Sequence, residues 1–377
     1  MRLAHICPFV GEHLGGSERY VHNISTMQSK EHDVHVYTTT RHLSRVGVSK
    51  KNGVTYHRFY SPAVIWNINP LNLMLSQLCK SDADVFHIHS YLYFTSNQAV
   101  LARLLKRGKA LLQLHGGVGN PPYRTSLRRR WVKQIYDHSL GQFTIDKSDL
   151  IASVSKTDLE TISSVYNVPT CKLCYVPNVV DTDQFSFSLR DAASKKTLLY
   201  VGDLERWKGV GSLIQWIREK RNWDGQSFRI RFVGQGSLYP SLARLRNELQ
   251  KNGHPIEIDL LGQRKHSEIP EILKSADALV LPSFWEGMPT VVLEAMASGT
   301  PVISTRVGDI PTFVQHNHNG LLFENSVDSF RSAVFSLFEN EELSQKIAKN
   351  ARKMIEKEFS LERIASVIND LYFSLGQ

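Results

Sequence analysis

Two carboxylates stand eight residues apart near the C-terminal third of the chain, where residues 284–303 read FWEGMPTVVLEAMASGTPVI. Glu294 lies inside an apolar run that predicts a helix over Thr290–Ser298, stopped by Gly299. Its place one turn into that helix lets the helix dipole favour an anion. A carboxylate accepts two hydrogen bonds from a vicinal diol, the hydroxyl pattern of a sugar or a ribose. Glu294 is therefore predicted to bind a diol.

The second carboxylate, Glu286, precedes the turn that leads into this helix. It is placed to bind the hydroxyls of a second sugar, and the turn formed by Gly287, Met288 and Pro289 offers backbone N–H groups to phosphate or hydroxyl oxygens. Paired carboxylates also catalyse glycoside hydrolysis, which needs two acids flanking the bond and one raised pKa. That alternative leaves the phosphate-suited loops described next without a purpose.

Two loops between a predicted strand and a predicted helix are suited to phosphate. In VGDLERWKGVGSLI, Arg206 and Lys208 follow a strand and precede a helix, where cations and the helix N-terminus favour a diphosphate. Near the N-terminus, Gly11, Gly15 and Gly16 precede a helix that Gly16 or Ser17 is placed to cap, although neither G-x-G-x-x-G nor GK[ST] is present. Both loops are predicted anion sites, the alternative being ligand-free turns.

A histidine ends one predicted strand at its C-terminal edge. His115 closes ALLQLH and is followed by two glycines that permit a close approach. Ligands of open α/β sheets bind at this edge, so His115 is a candidate site residue. We expect His87 and His89, which alternate on another strand, to point to opposite faces, and no metal site is predicted.

Composition and patterning indicate a folded protein of roughly two domains. The chain has 377 residues, of which 42% are hydrophobic and 21% charged, and its four cysteines make no disulfide framework. No signal peptide and no apolar run long enough to span a bilayer is recognised. Short Val/Ile/Leu-rich strands alternate with helical patterns in both halves, which predicts βαβ units and buried parallel sheets.

The positive charge is concentrated in the first half. The formal net charge is +9, and residues 1–180 carry 21 Lys/Arg against 11 Asp/Glu. Residues 85–136 contain nine Lys/Arg and no acid. Such a field attracts anions, namely phosphorylated ligands, acidic lipid or nucleic acid, and the alternative is a solvated helix face. No nucleic-acid-binding motif is recognised, so nucleic acid is not predicted as a partner.

Taken together, these motifs resemble the retaining glycosyltransferases of GT-B architecture, glycosyltransferase family 4 (glycosyl transferases group 1). The resemblance covers nearly the whole chain. It is carried by the E-x7-E pair, GGSE at 15–18, His115-Gly116, VPNVVD at 176–181, Lys208-Gly209, GQG at 234–236, and VGDIP with NGLLF at 307–323. Two positions depart from the family pattern, Asp203 in place of a common Arg and Thr312 in place of a common Glu, and both bear on phosphate geometry.

The resemblance implies an α/β fold of two Rossmann-like, doubly wound domains facing a cleft. The expected domains are 1–180, for the acceptor, and 181–359, for the nucleotide-sugar. The final helix, about 360–377, is expected to cross back onto the N-terminal domain and bury its apolar stripe, formed by Leu361, Ile364, Ile368, Leu371 and Leu375.

The resemblance also assigns roles to the residues singled out above. Glu294 binds the ribose of the donor, Glu286 and His115 lie at the transferred sugar, and Lys208 stabilises the departing diphosphate. Gly15 and Gly16 support phosphates or acceptor, and Arg206 is a candidate replacement for the missing phosphate contact. No metal and no cofactor is required beyond the nucleoside-diphosphate sugar.

The sequence therefore predicts transfer of a hexose-type sugar to a hydroxyl acceptor, in polysaccharide, glycolipid or lipid-linked glycan synthesis. Residues 124–133, with Trp131 and Ile135, fit a helix lying on acidic lipid, so the expected location is the cytoplasm, peripherally on the cytoplasmic face of a membrane. The alternatives are a nucleotide-sugar epimerase of the same architecture, a glycosidase, and a non-catalytic carbohydrate-binding protein.

Overall fold

The structure, a computed structural model, describes residues 1–10, 15–65, 69–106, 108–116, 118, 127–190, 195–219, 223 and 227–376. The side chains of 127–129 are not described. The chain divides into two compact units, Met1–Asn178 with Leu361–Gln377 (unit 1) and Val179–Ser360 (unit 2). The expected boundaries lie within two residues of these. No helix of the described ranges is both long enough and apolar enough to cross a bilayer.

Unit 1 is built on a mostly parallel sheet with the strand order β10-β9-β8-β7-β1-β2-β4-β3, in which β3 alone among the described strands runs antiparallel to its neighbour. A separate hairpin pairs β5 with β6. The strands are β1 (Arg2–Phe9), β2 (Asp33–Thr40), β3 (Gly47–Lys51), β4 (Val54–Tyr60), β5 (Ala63–Ile65), β6 (Asn69–Leu71), β7 (Val85–His89), β8 (Lys109–Leu114), β9 (Leu150–Ser153) and β10 (Leu173–Tyr175). The sequence patterns predict neither the hairpin nor the strands β3 and β4.

Helices cover the sheet of unit 1 and bury its central strands. They are α1 (Gly16–Gln28), α2 (Leu75–Lys80), α3 (Phe94–Leu104), α4 (Leu127–Tyr136), α5 (Gln142–Asp146), α6 (Lys156–Val165) and, from the other end of the chain, α14 (Leu361–Gly376). Every residue of β7 is buried, as expected of a parallel strand covered on both faces.

The C-terminal helix α14 packs against α1 and β8 within unit 1. Ile364, Ile368 and Leu375 of the predicted stripe are buried, whereas Leu361 and Leu371 are half-buried. The largest buried side chain of the helix is Tyr372, which the apolar pattern missed. Its hydroxyl lies 2.6 Å from Nδ1 of His87 on β7, so a polar contact as well as apolar packing fixes the helix on this unit.

Unit 2 is a parallel sheet with the order β13-β12-β11-β14-β15-β16. Its strands are β11 (Lys196–Val201), β12 (Phe228–Val233), β13 (Ile256–Gly262), β14 (Ala278–Leu281), β15 (Val302–Thr305) and β16 (Leu321–Phe323). Its helices are α7 (Val210–Arg218), α8 (Tyr239–Lys251), α9 (Ile269–Lys274), α10 (Thr290–Ser298), α11 (Ile310–Phe313), α12 (Val327–Phe338) and α13 (Glu341–Glu358). The prediction of two doubly wound, Rossmann-like units is confirmed.

The strand order of unit 2 reverses at the β11/β14 pair. The chain runs outward from β11 to β13 on one side, returns, and then runs from β14 to β16 on the other. In open α/β sheets the loops at the carboxyl ends of the two strands at such a switch point diverge and leave a crevice for ligands. The loops after β11 and β14 are therefore the expected position of a ligand site.

Candidate functional site

The loop after β11 positions Lys208 at the switch point of unit 2. Residues Arg206–Lys208 form a short 3₁₀ turn, and Gly209, with φ +73°, links this turn to α7. A Cβ at Gly209 would clash with the carbonyl oxygen of Pro282, at the end of β14. The glycine thus lets the two neighbouring loops approach closely. Lys208 is largely buried, whereas the predicted phosphate contact Arg206 is exposed.

Lys208 forms a buried ion pair with Glu286 from the neighbouring loop. Its Nζ lies 2.7 Å from Oε1 and 2.9 Å from Oε2 of Glu286, and the Ser283 hydroxyl donates to Oε1 at 2.6 Å. Nζ also lies 4.3 Å from the ring centroid of Trp207. An ammonium group has three N–H donors, so this arrangement holds Lys208 in place without using its full capacity to bind an anion.

Glu286 lies on the loop 284–289, which leads into α10. Gly308, with φ +53°, lies so close to the backbone of Glu286 that a Cβ there would clash with the Glu286 carbonyl oxygen. Met288 is buried, while a Cβ at Gly287 would meet no atom within 4 Å. Pro289 is the N-cap residue of α10 and offers no side-chain cap. The Met288 side chain thus packs the turn 287–289 into the protein, while the space beside Gly287 is open.

Glu294 is held on α10 by a histidine from another loop. The helix spans Thr290–Ser298 and ends at Gly299 in the left-handed conformation, so the predicted helix and its stop are confirmed. Glu294 is almost completely buried, and His266 Nε2 lies 2.9 Å from its Oε1. The His266 side chain is 26% exposed. The carboxylate therefore has one oxygen committed to the imidazole and a second, Oε2, for another donor.

Three contact residues of this site were not predicted from the sequence. Ser283 and Trp207 touch the two ends of the ion pair, and His266 orients Glu294. His266 lies in the loop after β13, which ends at Gly262, and a polar residue in a loop at the carboxyl end of a strand is a usable signal. Ser283 follows β14 in the same way, but its partner Glu286 is identified only by the folded loop.

In unit 1 the glycine-rich loop lies at the start of α1. Gly15 is the N-cap residue with no side-chain cap, and the helix begins at Gly16. The prediction that Gly16 or Ser17 caps the helix is therefore wrong by one or two positions; the Ser17 hydroxyl donates to Glu18 instead. Both glycines are exposed, and Gly11 lies outside the described residues.

His115 follows β8 and belongs to a cluster of four imidazoles formed by His5, His87, His89 and His115. The expectation that His87 and His89 point to opposite faces is wrong, because residues two apart on a strand share a face. Their rings stack with centroids 4.3 Å apart. The ring of His89 in turn stacks on His5 and His115, at 5.4 and 5.3 Å.

Burial keeps this cluster neutral. It lowers the pKa of His5 to about 4 and that of His115 to about 3, and it holds the pKa values of His87 and His89 well below their ordinary range. Nitrogen atoms of His5, His87 and His89 also lie within 4.8 Å of one another. Neutral imidazoles are metal ligands in principle, but this trio was not predicted as one.

The neutral cluster predicts that unit 1 loses stability in mild acid. The pKa values are depressed in the folded state, so the unfolded chain binds more protons below pH 6.5, and the free energy of unfolding falls as pH drops from there toward 4. Each histidine contributes a slope of up to about 1.4 kcal/mol per pH unit. Urea unfolding between pH 7.5 and 5 measures it.

The matched variants for this prediction are His5→Gln, which removes one titrating ring from the cluster, and His138→Gln, which removes an exposed ring of the same unit. We expect a shallower pH slope for the first variant only. Stability that does not change between pH 7.5 and 5 would show that the buried rings are charged or exposed in solution.

Sequence models of two families match consecutive parts of the chain. The model described as "Glycosyltransferase Family 4" matches residues 14–184, and that described as "Glycosyl transferases group 1" matches residues 181–354. Among curated relatives, the chain is 26% identical over 337 residues to UDP-Gal:alpha-D-GlcNAc-diphosphoundecaprenol alpha-1,3-galactosyltransferase of Escherichia coli, with 84% of each chain covered. It is 26% identical over 317 residues to N-acetyl-alpha-D-glucosaminyl L-malate synthase of Bacillus anthracis, covering 78% of this chain and 76% of the relative.

Solved structures share the fold. The sucrose-phosphate synthase of Thermosynechococcus elongatus superposes with a TM-score of 0.77 at 18% identity, covering 99% of this chain and 98% of the other. HepE of Anabaena, in complex with UDP and glucose, superposes with a TM-score of 0.74 at 15% identity, covering 99% and 100%. At these identities the likeness establishes the architecture alone.

Proposed function

The chain belongs to the GT-B glycosyltransferases of family 4 and group 1, and from this premise we propose that it moves a hexose-type sugar from a nucleoside diphosphate to a hydroxyl acceptor with retention of anomeric configuration. Its products are components of cell-surface polysaccharide, glycolipid or lipid-linked glycan. Glycosyltransferase activity follows from the family; the donor, the stereochemistry and the acceptor class are the proposal.

The observation that carries the proposal is the Lys208–Glu286 ion pair at the strand-order switch point of unit 2. A lysine held at this edge is placed to meet a diphosphate, since ligands of such sheets bind there. Glu286, on the same loop as the open turn at Gly287, faces hydroxyls of the transferred sugar. Glu294 supplies the second carboxylate, for the ribose diol, through the oxygen that His266 does not occupy.

The reaction breaks the bond between the anomeric carbon and the diphosphate oxygen and forms a bond from that carbon to the acceptor oxygen on the same face. The acceptor proton passes to a departing phosphate oxygen. Negative charge grows on the leaving diphosphate, so the largest contribution expected of the protein is electrostatic stabilisation by Lys208, together with alignment. Arg206 is an additional phosphate contact in this proposal, and no metal ion is assigned a role.

Unit 1 supplies the acceptor side. His115 contacts the transferred sugar, and the N–H groups at Gly15 and Gly16, at the start of the 13-residue helix α1, bind phosphate or acceptor oxygens. A curated relative supports this class of substrates, since the Escherichia coli relative is named for a UDP-galactose donor and a diphosphoundecaprenol-linked acceptor.

The proposal is tested by incubating the purified chain with UDP-, GDP- and ADP-hexoses and with undecaprenyl-diphosphate-linked acceptors. A thermal-shift screen first selects the donor, because a ligand that binds the native state raises its melting temperature. Mass spectrometry is expected to find an acceptor heavier by one hexose, and NMR an unchanged anomeric configuration.

Other outcomes of this assay separate the alternatives. An altered or freed sugar formed without an acceptor would favour the epimerase, and cleavage of model glycosides without nucleotide would favour a glycosidase. Binding of carbohydrate with no turnover would identify a non-catalytic module. Any of these would contradict the transfer reaction.

The outer face of α4 supports an acceptor held at a membrane. Trp131 is 69% exposed and Ile135 is 63% exposed, and an aromatic ring on an otherwise basic helix favours the membrane interface. Lys133 does not contribute a free charge, because its Nζ lies 2.6 Å from Asp137 Oδ2. Arg124, and the side chains of Arg128 and Arg129, lie outside the described residues.

We expect the chain to bind vesicles containing phosphatidylglycerol and to release them as salt is raised, since surface charge attraction is screened within a Debye length. Trp131→Ser with Ile135→Ser is expected to weaken binding about tenfold or more, because two exposed apolar side chains leave the interface. Leu43→Ser, which alters a 71%-exposed apolar residue elsewhere in unit 1, is the control. Equal cosedimentation with neutral phosphatidylcholine vesicles would contradict the prediction.

A further inference from the structure

A continuous chain of side-chain hydrogen bonds connects the surface of unit 1 to His115. It starts at a carboxylate after α1, passes through the C-terminal helix α14, returns to α1, and crosses the strands β1 and β7. We call it the histidine relay, and its members in order are Glu31, Asn369, Gln28, His5, His89 and His115.

The amide members of the relay have a fixed orientation. The carboxylate of Glu31 only accepts, so the nitrogen Nδ2 of Asn369 donates to it at 3.4 Å. The oxygen Oδ1 of Asn369 is then left to accept from Gln28 Nε2 at 3.2 Å. Consequently Gln28 turns its oxygen, and not its nitrogen, toward His5.

The imidazole members follow from that orientation. Gln28 Oε1 accepts, so His5 donates from Nε2 at 2.9 Å. A neutral ring carries one N–H, so His5 Nδ1 accepts, and its donor is His89 Nε2 at 3.1 Å. By the same rule His89 Nδ1 accepts from His115 Nε2 at 3.0 Å. Each donor thus points back toward Glu31.

The assignment of one donor nitrogen and one acceptor nitrogen to each imidazole requires each ring to be neutral. Burial depresses the pKa values of His5, His89 and His115 well below 6.5. At neutral pH a second proton on any of these rings is therefore excluded, and the direction of the relay is the only one consistent with the contacts.

We infer that the histidine relay fixes His115 as its Nε2–H tautomer, so that His115 Nδ1 presents a lone pair to a hydroxyl of the bound sugar. Among the described residues this nitrogen has no hydrogen-bond partner, although it is buried. Native proteins seldom leave such an atom unpaired. The next residue, Gly116, has a positive φ of +89°, and a Cβ on it would meet no atom within 4 Å. The inference rests on the proposed role of His115 in transfer.

In this inference His89, His5 and Gln28 are positioning residues that act through His115. The tautomer decides what His115 does, because an Nδ1–H ring would donate to the sugar and an Nδ1 lone pair accepts from it. A sugar hydroxyl that donates to Nδ1 keeps its own lone pairs for other donors. The relay thereby selects the orientation of that hydroxyl.

A metal ion is the competing use of the same rings. Nitrogen atoms of His5, His87 and His89 lie within 4.8 Å of one another, and in the described part of the chain this group contains histidines alone. Both ring nitrogens of His5 and both of His89 make hydrogen bonds of the relay, so an ion bound to either ring would break one of them. The relay instead uses the nitrogens of His5 and His89 in the hydrogen bonds that the structure shows.

The tautomer is measured directly on the ligand-free protein. Long-range ¹H–¹⁵N correlation spectra of histidine-labelled protein at pH 7 distinguish a protonated from an unprotonated ring nitrogen, and His115→Asn assigns the signal. We expect His115 with an unprotonated Nδ1 and a protonated Nε2. The reverse pattern, a charged ring, or a stoichiometric Co²⁺ complex with His5 and His89 would overturn the inference.

Two substitutions at His89 separate positioning from general packing. In His89→Asn the amide oxygen takes the place of Nδ1 and still accepts from His115, whereas in His89→Gln the amide nitrogen takes the place of Nε2 and the acceptor is lost. We expect His89→Asn to keep kcat within about threefold and His89→Gln to lower it about 10- to 100-fold with little change in donor KM, as for other residues that orient a functional histidine.

Equal kcat for the two variants, or a lower kcat for His89→Asn than for His89→Gln, would overturn the inference. The ¹H–¹⁵N spectrum distinguishes failure of the inference from failure of the proposed function. An Nε2–H tautomer in a chain without transferase activity would remove the proposed function alone, while an Nδ1–H tautomer in an active transferase would remove the relay alone.

Discussion

Lys208→Ala is expected to lower kcat for sugar transfer about a hundredfold or more. The positive charge at this position meets the diphosphate as its negative charge grows, and removal of one preorganised stabilising donor typically costs two to three orders of magnitude in rate. Steady-state kinetics with the donor identified by thermal shift measure the effect. Lys251→Ala, at the exposed C-terminal end of α8, is the matched control.

The buried ion pair requires a second variant for this prediction. Lys208→Ala leaves the Glu286 carboxylate with the Ser283 hydroxyl as its remaining described partner, and a buried charge without its partner destabilises the fold. Lys208→Met with Glu286→Gln removes both charges. We expect this double variant to recover the thermal stability but not the rate. Recovery of near-normal kcat would mean that Lys208 serves the fold and not the reaction.

Glu294→Ala is expected to lower kcat/KM about a hundredfold, chiefly through a higher KM for the donor. A hydrogen bond from a sugar hydroxyl to a carboxylate is among the stronger kinds, and its loss leaves the ribose diol unpaired. Binding that is equal in the ground and transition states appears in KM. Glu271→Gln, which alters an exposed carboxylate on α9 of the same unit, is the control.

His266 makes the Glu294 prediction more specific. Its Nε2 holds one oxygen of Glu294, so Glu294→Gln still has an oxygen to accept one hydrogen bond but loses the charge. We expect Glu294→Gln to lower kcat/KM, but by less than Glu294→Ala does. A variant that loses nothing would place the diol elsewhere, and kinetics against donor concentration would reveal it.

The local parts of this fold were predictable from the sequence. Gly299 stops α10 where a left-handed residue is needed, and the Val/Ile/Leu-rich runs form parallel strands buried on both faces. The loop positions of Lys208 and Glu286 follow from the alternation of strand and helix. Each of these signals lies within a few residues of the feature that it predicts.

The contacts that complete the sites join distant parts of the chain. Lys208 and Glu286 are 78 residues apart, His87 and Tyr372 are 285 apart, and Gln28 and Asn369 are 341 apart. A sequence pattern that spans only a few residues cannot show which distant residues are in contact, because the strand order decides which loops meet. The misplaced faces of His87 and His89 were a different kind of error, since the two-residue period of a strand already puts them together.

The central claim is that Glu294 binds the ribose diol of a nucleoside diphosphate, and a binding cycle tests it most directly. Calorimetry compares the preferred nucleoside diphosphate with its 2′,3′-dideoxy form, on the parent chain and on Glu294→Ala. We predict that loss of the diol weakens binding about 10- to 100-fold in the parent and less than about threefold in the variant. An equal loss in both proteins would contradict the account.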